Sequence, residues 1–311
     1  MPSPRPFRFA AALHDTASAA EFVEGAHRVE ALGYDVLLTG DHLTPRWFSP
    51  GPALTAAALS TTTLRVGCTV FDNDFRPPAL LAKEAASIDV LTDGRLEFGL
   101  GAGWLKTEYD WIGLPFDPPG VRVSRLEEAV QVIKGLWGDG PFSFSGRSYT
   151  IDGMNGTPKP VQRPHPPIFI GGGGKRLLSI AGREANIVGI MGRTPSGGGI
   201  PSDPVTDEGL AEKVGWVRAA AGARFDLIEL ATLMQGVAVT DDRAAAAECL
   251  AGMWGMTADG VLASIHFLIG SVEQIVERLL AQRAMHGISY ISVYGRDMEA
   301  FAPIVARLKG S

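Results

Sequence analysis

Short runs of apolar residues alternate with longer amphipathic segments along the whole chain. The apolar runs are mostly continuous, as in strands that are buried on both faces of a parallel sheet. The segments between them repeat apolar residues at helical spacing. This pattern predicts eight strands, at residues 7–14, 34–39, 64–71, 95–100, 167–170, 186–191, 227–239 and 288–294.

Helices are predicted between these strands at residues 17–32, 52–59, 78–91, 124–137, 176–183, 207–221, 272–285 and 300–308, with an Ala-rich helical region from residue 243. Eight strand–helix units favour the α/β class and a closed (β/α)8 TIM barrel over an open sheet. Such a barrel takes about 250 residues, so the chain of 311 residues has room for insertions.

Two insertions are predicted, after strands 4 and 6. The segment at about 104–166 contains the hairpin sequence FSFSGRSYTI, and the segment 192–206 is rich in Gly, Pro and Ser. No linker divides the chain. We therefore expect a single TIM-barrel domain that spans residues 1–311.

Composition restricts the function classes. The net charge of −6 disfavours binding to nucleic acid or to an anionic membrane. No run of about 18 apolar residues and no signal-peptide pattern is present. Cys68 and Cys249 stand in apolar surroundings and form no CxxC motif, so we expect reduced core thiols in a cytoplasmic protein. The histidines show no metal-ligand spacing, so no metal site is expected.

In barrels of this kind the active site lies at the carboxyl ends of the strands. His14 ends the first predicted strand, and Asp41 and His42 follow the second. Imidazole exchanges protons near neutral pH, so His42 is a candidate general acid or base. The alternative is structural: Asp41 caps the following turn and His42 packs there.

Two glycine-rich segments follow strands 4 and 5. They are GLGAG (residues 99–103) and GGGGKR (residues 171–176). Glycine lets the backbone approach a ligand closely, and free N–H groups at a helix start bind anions. Neither segment fits a Walker A or a G-x-G-x-x-G pattern. The alternative is that both are tight strand-to-helix turns. Trp47 and Trp104 fall in loops near the predicted rim, where they form a substrate wall or pack under the loops.

The sequence resembles the luciferase-like monooxygenase superfamily over nearly its whole length. The resemblance is carried by PPALLAKEAASIDVLTDGR, by DGRLEFGLGAGWLKTEYDWIGLPF, which overlaps its end, and by RLEEAVQVIKGLW further on. Within that family, TGDHLTP, VGCTVF and IFIGGGG look like the branch that uses the deazaflavin coenzyme F420. The resemblance implies a TIM barrel, a flavin-type cofactor and a homodimer.

The resemblance also implies roles for particular residues. A non-proline cis peptide that supports the ring of the cofactor would fall on Thr69 and Val70, and Asp41 would contact the deazaflavin head beside His42 as proton donor or acceptor. The remaining implied site residues are those of the cofactor's phosphate segments, Gly101, Ala102, Gly103, Thr107, Gly171, Gly172, Gly173 and Gly174, and those of the substrate pocket, His14, Trp47, Phe71 and Trp104. Charge suggests that Lys106, Lys175 and Arg176 favour the anionic tail.

One departure concerns the substrate. The related sugar-phosphate dehydrogenases carry a glutamate directly after the GxG segment, where this chain has Trp104, and a tryptophan where it has Arg46. Glu108 lies four residues further on and need not replace that glutamate. We therefore expect an apolar or planar organic substrate for hydride transfer with F420. The alternatives are a monooxygenase that uses reduced FMN and a non-catalytic flavin- or deazaflavin-binding protein.

Overall fold

The computed structural model describes residues 5–199 and 205–311. Thirteen strands lie in this part of the chain: β1 (Arg8–Ala12), β2 (Val36–Thr39), β3 (Arg65–Cys68), β4 (Phe71–Asp72), β5 (Leu96–Gly101), β6 (Phe142–Ser145), β7 (Thr150–Met154), β8 (Ile168–Gly172), β9 (Ile187–Ile190), β10 (Glu229–Leu233), β11 (Gly236–Val239), β12 (Phe267–Gly270) and β13 (Ile288–Tyr294). Its helices are α1 (Ala19–Ala31), α2 (Pro50–Ser60), α3 (Pro78–Leu91), α4 (Lys106–Ile112), α5 (Pro119–Trp137), α6 (Lys175–Glu184), α7 (Asp207–Ala221), α8 (Arg243–Trp254), α9 (Ala258–Ala263), α10 (Val272–His286) and α11 (Met298–Leu308).

Eight of these strands close into a parallel barrel in the order β1, β2, β3, β5, β8, β9, β10, β13 and back to β1. The predicted TIM barrel is therefore confirmed. Small and medium side chains, among them Ala10, Val36 and Ala231, fill its interior, and the larger core lies between the sheet and the helices. No helix in the described residues is both long and apolar enough to cross a membrane.

Local sequence signals explain where several helices begin and end. The Ser18 hydroxyl accepts a hydrogen bond from the Glu21 N–H at the start of α1, and Ser271 and Gln274 form a capping box before α10. Helix α3 starts after Pro77 and is followed by Asp93 and Gly94, both with positive φ. Its observed bounds coincide with the predicted ones because both ends carry such signals.

The third strand differs from its prediction. Instead of running through residues 64–71, it stops at Cys68, and β4 resumes beside β5 after a cis peptide at Thr69–Val70. Gly99 and Gly101 of β5 face this break. A Cβ on Gly99 would lie 1.9 Å from the carbonyl oxygen of Cys68, and one on Gly101 would lie 2.2 Å from Cγ2 of Val70.

The insertion after the fourth barrel strand contains α4, α5 and the predicted hairpin, which is β6–β7. The segment predicted as an insertion at 192–206 lies partly outside the described residues. A third insertion was not predicted: residues 227–239 do not form one strand, because β11 leaves the barrel after Met234 and pairs with β12. The N–H of Gln235 donates to the carbonyl of His266, which turns the chain at this point.

Charged residues close the amino-terminal end of the barrel. The Glu97 carboxylate pairs with Arg8 and, at 3.0 Å, with Arg65, and it accepts a hydrogen bond from the Tyr290 hydroxyl at 3.1 Å. Arg8 also pairs with Glu229 at 2.6 Å. Two guanidinium groups therefore neutralise two carboxylates in a floor opposite the rim where the strands end.

The two cysteines have different surroundings. Cys68 is buried, as predicted, whereas Cys249 is exposed on α8, which corrects the prediction that both are core residues. Both are free thiols.

Candidate active site

His42 lies at the carboxyl end of β2 with its imidazole about one-fifth exposed. Its Nδ1 atom is 2.9 Å from Oε2 of Glu108. The ring stands edge-on to Trp47 and Trp104, with centroids 5.1 and 5.5 Å away. Within the described residues Nε2 makes no hydrogen bond, so this nitrogen is available to a reacting group.

Glu108 is the residue that sequence reasoning missed. It lies on α4 and is only 2% exposed. Its second oxygen, Oε1, accepts a hydrogen bond from the Leu43 N–H at 2.7 Å. The sequence KTEYDWI does not distinguish Glu108 from Asp110, which is exposed two residues later, so its burial against His42 had no local signal.

Asp41 is held by the protein itself. Its carboxylate forms a bidentate pair with Arg76, at 2.6 and 3.0 Å, and accepts a hydrogen bond from the Asp72 N–H. Both oxygens therefore contact protein donors, and the side chain ties the end of β2 to the segment that follows β3. The expected contact between Asp41 and a cofactor head stays a prediction.

A second buried carboxylate lies beside this pair. Asp72 accepts hydrogen bonds from the Tyr109 hydroxyl at 3.0 Å and from the Asp74 N–H at 2.9 Å. Burial raises the pKa of Asp72 to about 7, with a further contribution from the neighbouring carboxylates of Asp74 and Asp41. Asp72 thus titrates near neutral pH next to the break at Thr69–Val70.

His14 forms the opposite wall. Its ring stacks on Trp47 with centroids 3.8 Å apart and planes nearly parallel. Burial, with a smaller contribution from His42 and Arg296, lowers the pKa of His14 to about 4. The His14 imidazole is therefore neutral at physiological pH.

Phe71 does not line the site. Its side chain is fully buried and stacks on Phe98, with centroids 5.7 Å apart. This placement corrects the expectation that Phe71 belongs to the substrate pocket. A pocket of about 420 Å³ opens instead along the loop after β2, and it is lined by Asp41, His42, Leu43, Thr44, Trp47, Ser49, Phe75, Arg76 and Ile112.

The non-proline cis peptide expected from the sequence resemblance is present at Thr69–Val70, with both residues half-buried at the rim. Gly101 packs against it, Ala102 is buried, and Gly103, with φ +72°, makes the turn towards α4. Thr107 is exposed. The missing Cβ atoms at Gly101 and Gly103 make room for Val70 and for the Tyr109 hydroxyl, so these glycines allow close packing at the rim.

The second glycine segment forms the start of α6. Gly173 packs against the backbone of Gly192, and the carbonyl oxygen of Gly173 accepts a hydrogen bond from Lys213 at 2.6 Å. Gly174 precedes the helix without a side-chain cap, and a Cβ there would meet open space. Among the described residues, no side chain therefore accepts a hydrogen bond from the first N–H groups of α6. These free donors are suited to binding an anionic group.

Two of the cationic side chains near these segments contact protein groups. Lys106 pairs with Asp110 at 2.6 Å. Arg176 donates to the Gly120 carbonyl and to the Ser124 hydroxyl. Lys175, the first residue of α6, is exposed. Lys175 and the backbone amides at the start of α6 are therefore the candidate anion-binding groups of this segment. Among the described residues no group of His, Cys, Asp and Glu could hold a metal ion.

Comparison with known proteins identifies the class. A family model described as "Luciferase-like monooxygenase" matches residues 5–263, and the chain belongs to this family of oxidoreductases and monooxygenases. Its relatives use either F420 or FMN according to their names. The FMNH(2)-dependent dimethylsulfone monooxygenase of Pseudomonas putida is 34% identical over 153 residues, which cover 49% of this chain and 39% of the relative.

The F420-dependent glucose-6-phosphate dehydrogenase of Microbacterium testaceum is 29% identical over 192 residues, 59% of this chain and 56% of the relative. The chain thus spans about half the length of the curated relatives it matches. Among solved structures, an F420-dependent secondary alcohol dehydrogenase in complex with an F420–acetone adduct superposes with a TM-score of 0.78 at 19% identity, covering 97% of this chain and 98% of that one. A long-chain alkane monooxygenase reaches 0.79 at 14% identity, with 98% and 91% covered. These two likenesses show the fold.

Proposed function

We propose that the protein is an F420-dependent oxidoreductase that transfers a hydride between the deazaflavin and a small organic substrate. His42 gives or takes the accompanying proton. The observation that carries the proposal is the His42 imidazole at the carboxyl-end rim of the barrel, held through Nδ1 by Glu108, with Nε2 making no hydrogen bond among the described residues. The protein positions the reactants and manages one proton, and the cofactor supplies the hydride chemistry.

The residues present fit such a cofactor. The half-buried residues Thr69 and Val70 offer a support for a flat ring system at the rim, and the glycines at 101 and 103 let the neighbouring chain pack closely against Val70 and Tyr109. The uncapped start of α6, with open space at Gly174, offers amide donors to an anionic tail. We propose these segments, together with Thr107 and Gly171–Gly173, as the cofactor contacts.

The surroundings of His42 favour an uncharged, apolar or planar substrate. Two tryptophan rings, both nearly perpendicular to the imidazole, flank it, and the His14 ring on the far side of Trp47 is neutral. Trp104 also fills the position where the sugar-phosphate dehydrogenases have a glutamate. A phosphorylated sugar would find aromatic faces in this part of the site, where it needs charged and hydrogen-bonding partners.

A monooxygenase that uses reduced FMN is the second candidate. It is favoured by the 34% identity to the dimethylsulfone enzyme, which exceeds the 29% identity to the glucose-6-phosphate dehydrogenase. A barrel with backbone-lined cradles accommodates either ring system. The two candidates therefore separate on cofactor preference and on oxygen consumption.

The test is a pair of equilibrium titrations, one with oxidised F420 and one with FMN, followed by cofactor fluorescence. We expect F420 to bind at least tenfold more tightly, a difference of about 1.4 kcal/mol. His42→Ala should leave the F420 dissociation constant within about threefold and lower turnover by about 10²- to 10⁴-fold. Preferential binding of FMN, with oxygen consumed on reduction, would replace this proposal with the monooxygenase.

We further propose that the chain acts as a cytoplasmic homodimer on a small-molecule substrate, without nucleic-acid or membrane partners. The free thiols suit a reducing compartment. Leu59 of α2 and Leu80 and Leu91 of α3 are each more than half exposed and offer apolar surface to a second copy. Sedimentation velocity tests the assembly, since a monomer at micromolar concentration contradicts it.

A further inference from the structure

We infer that Glu108 is a positioning residue that fixes the tautomer of His42. This inference rests on the proposed role of His42 and adds to it the group that decides which ring nitrogen carries the proton. The hydrogen bond between Nδ1 of His42 and Oε2 of Glu108 is 2.9 Å long. The Glu108 side chain is shielded from solvent, with only 3% of its surface exposed.

A carboxylate has only acceptors to offer. Glu108 uses one oxygen for the Leu43 N–H and the other for His42, so the hydrogen of the second bond belongs to Nδ1. In the neutral imidazole the lone pair then lies on Nε2, the nitrogen that has no protein partner among the described residues. His42 is thereby prepared to accept a proton at Nε2 and, once charged, to return it from the same atom.

The position of Glu108 in the chain adds a second link. The residue lies on α4, directly after the segment from Gly101 to Thr107 that we propose as a cofactor contact. Its two hydrogen bonds reach the two consecutive residues His42 and Leu43 in the loop after β2. The orientation of the imidazole is therefore set by the same stretch of chain that borders the proposed cofactor.

Glu108→Gln separates positioning from packing because it keeps the shape of the side chain. The Leu43 N–H can only donate, so the introduced amide must turn its oxygen towards Leu43 and its NH₂ towards His42. Nδ1 must then accept, and the proton moves to Nε2. The substitution is thus expected to invert the tautomer while both hydrogen bonds are retained.

The first measurement uses the protein alone. Two-bond ¹H–¹⁵N correlation spectra of histidine-labelled protein, recorded between about pH 5 and 9, report which nitrogen is protonated in the neutral ring. His42→Gln assigns the signals. We expect the proton on Nδ1 in the wild type and on Nε2 in Glu108→Gln. A wild-type proton on Nε2, or an unchanged tautomer in the variant, overturns the inference, and the wild-type spectrum decides even if the variant does not fold.

The second measurement is turnover. Glu108→Gln should lower kcat by about 10²- to 10⁴-fold with KM changed by less than about threefold. Glu30→Gln is the matched control, because Glu30 also accepts backbone N–H bonds from a loop, those of Thr62, Thr63 and Leu64, but at the opposite end of the barrel. An unchanged kcat in Glu108→Gln contradicts the inference. Failure of F420 to bind leaves the tautomer result intact and refutes the proposed function alone.

Discussion

The stability of this protein should fall as pH rises through neutrality because of one carboxyl group, that of Asp72. Burial places its pKa at about 7, whereas the ordinary value is 3.8. Between these values the folded protein holds a proton that the unfolded chain has lost. The free energy of unfolding therefore decreases across this interval and reaches its lower level above about pH 7.

The magnitude follows from the two pKa values. Each pH unit in the interval contributes about 1.36 kcal/mol, so the whole interval corresponds to about 4 kcal/mol and the part between pH 5 and 8 to about 3 kcal/mol. Asp72→Asn removes this term and keeps the contacts. The amide oxygen still accepts from the Asp74 N–H, and the NH₂ can donate to the Tyr109 hydroxyl oxygen.

Urea unfolding of both proteins at about pH 5, 6, 7 and 8 measures the effect. Other titrating groups cancel in the difference between the two proteins. We expect Asp72→Asn to gain about 3 kcal/mol relative to the wild type from pH 5 to 8, whereas the exposed Asp110→Asn should show no such trend. A difference that is constant with pH, or one in which the wild type gains as pH rises, refutes the reasoning.

Two further predictions concern the proposed cradle and the barrel floor. Gly174→Ala should weaken F420 binding by about tenfold or more with little change in stability, because the added Cβ enters open space where the ligand would lie. Gly215→Ala is the control, since its added Cβ also meets open space but on α7, and this variant should bind F420 normally. Equal affinities of the two variants for F420 contradict the assignment. Glu97→Gln should lower the free energy of unfolding by about 1 to 3 kcal/mol, because it removes the charge that pairs with the partly buried guanidinium groups of Arg8 and Arg65, although Arg8 keeps Glu229. Urea unfolding tests this, with the exposed pair variant Glu299→Gln as a control that should change little.

The barrel and its rim could be predicted from the sequence because their signals are local. Apolar runs mark the strands, and residues directly after a strand must lie at the carboxyl-end rim, as His14 and His42 do. The bounds of α3 and α7 agree with prediction for a similar reason, since each has a start signal in its own sequence, Pro78 and Thr206.

The departures from prediction arise from contacts between distant residues. The run from residue 227 to 239 is mostly apolar, and its break depends on the hydrogen bond between Gln235 and His266, which lies 31 positions away in the turn before β12. The contact between Glu108 and His42 spans 66 positions, so no local pattern indicates it. The pairing of Asp41 with Arg76 joins residues 35 positions apart, and the contact of Asp41 with a cofactor stays a prediction.

The bridge from Glu108 to His42 and Leu43 has a consequence for engineering. It connects the second rim loop to the fourth through two hydrogen bonds, so these two loops are mechanically one unit. Replacing either loop alone with one from another barrel would remove either Glu108 or His42 and leave the other residue without its hydrogen-bond partner. Successful grafts should exchange both loops together, and new specificities in such chimaeras should be sought at the other six.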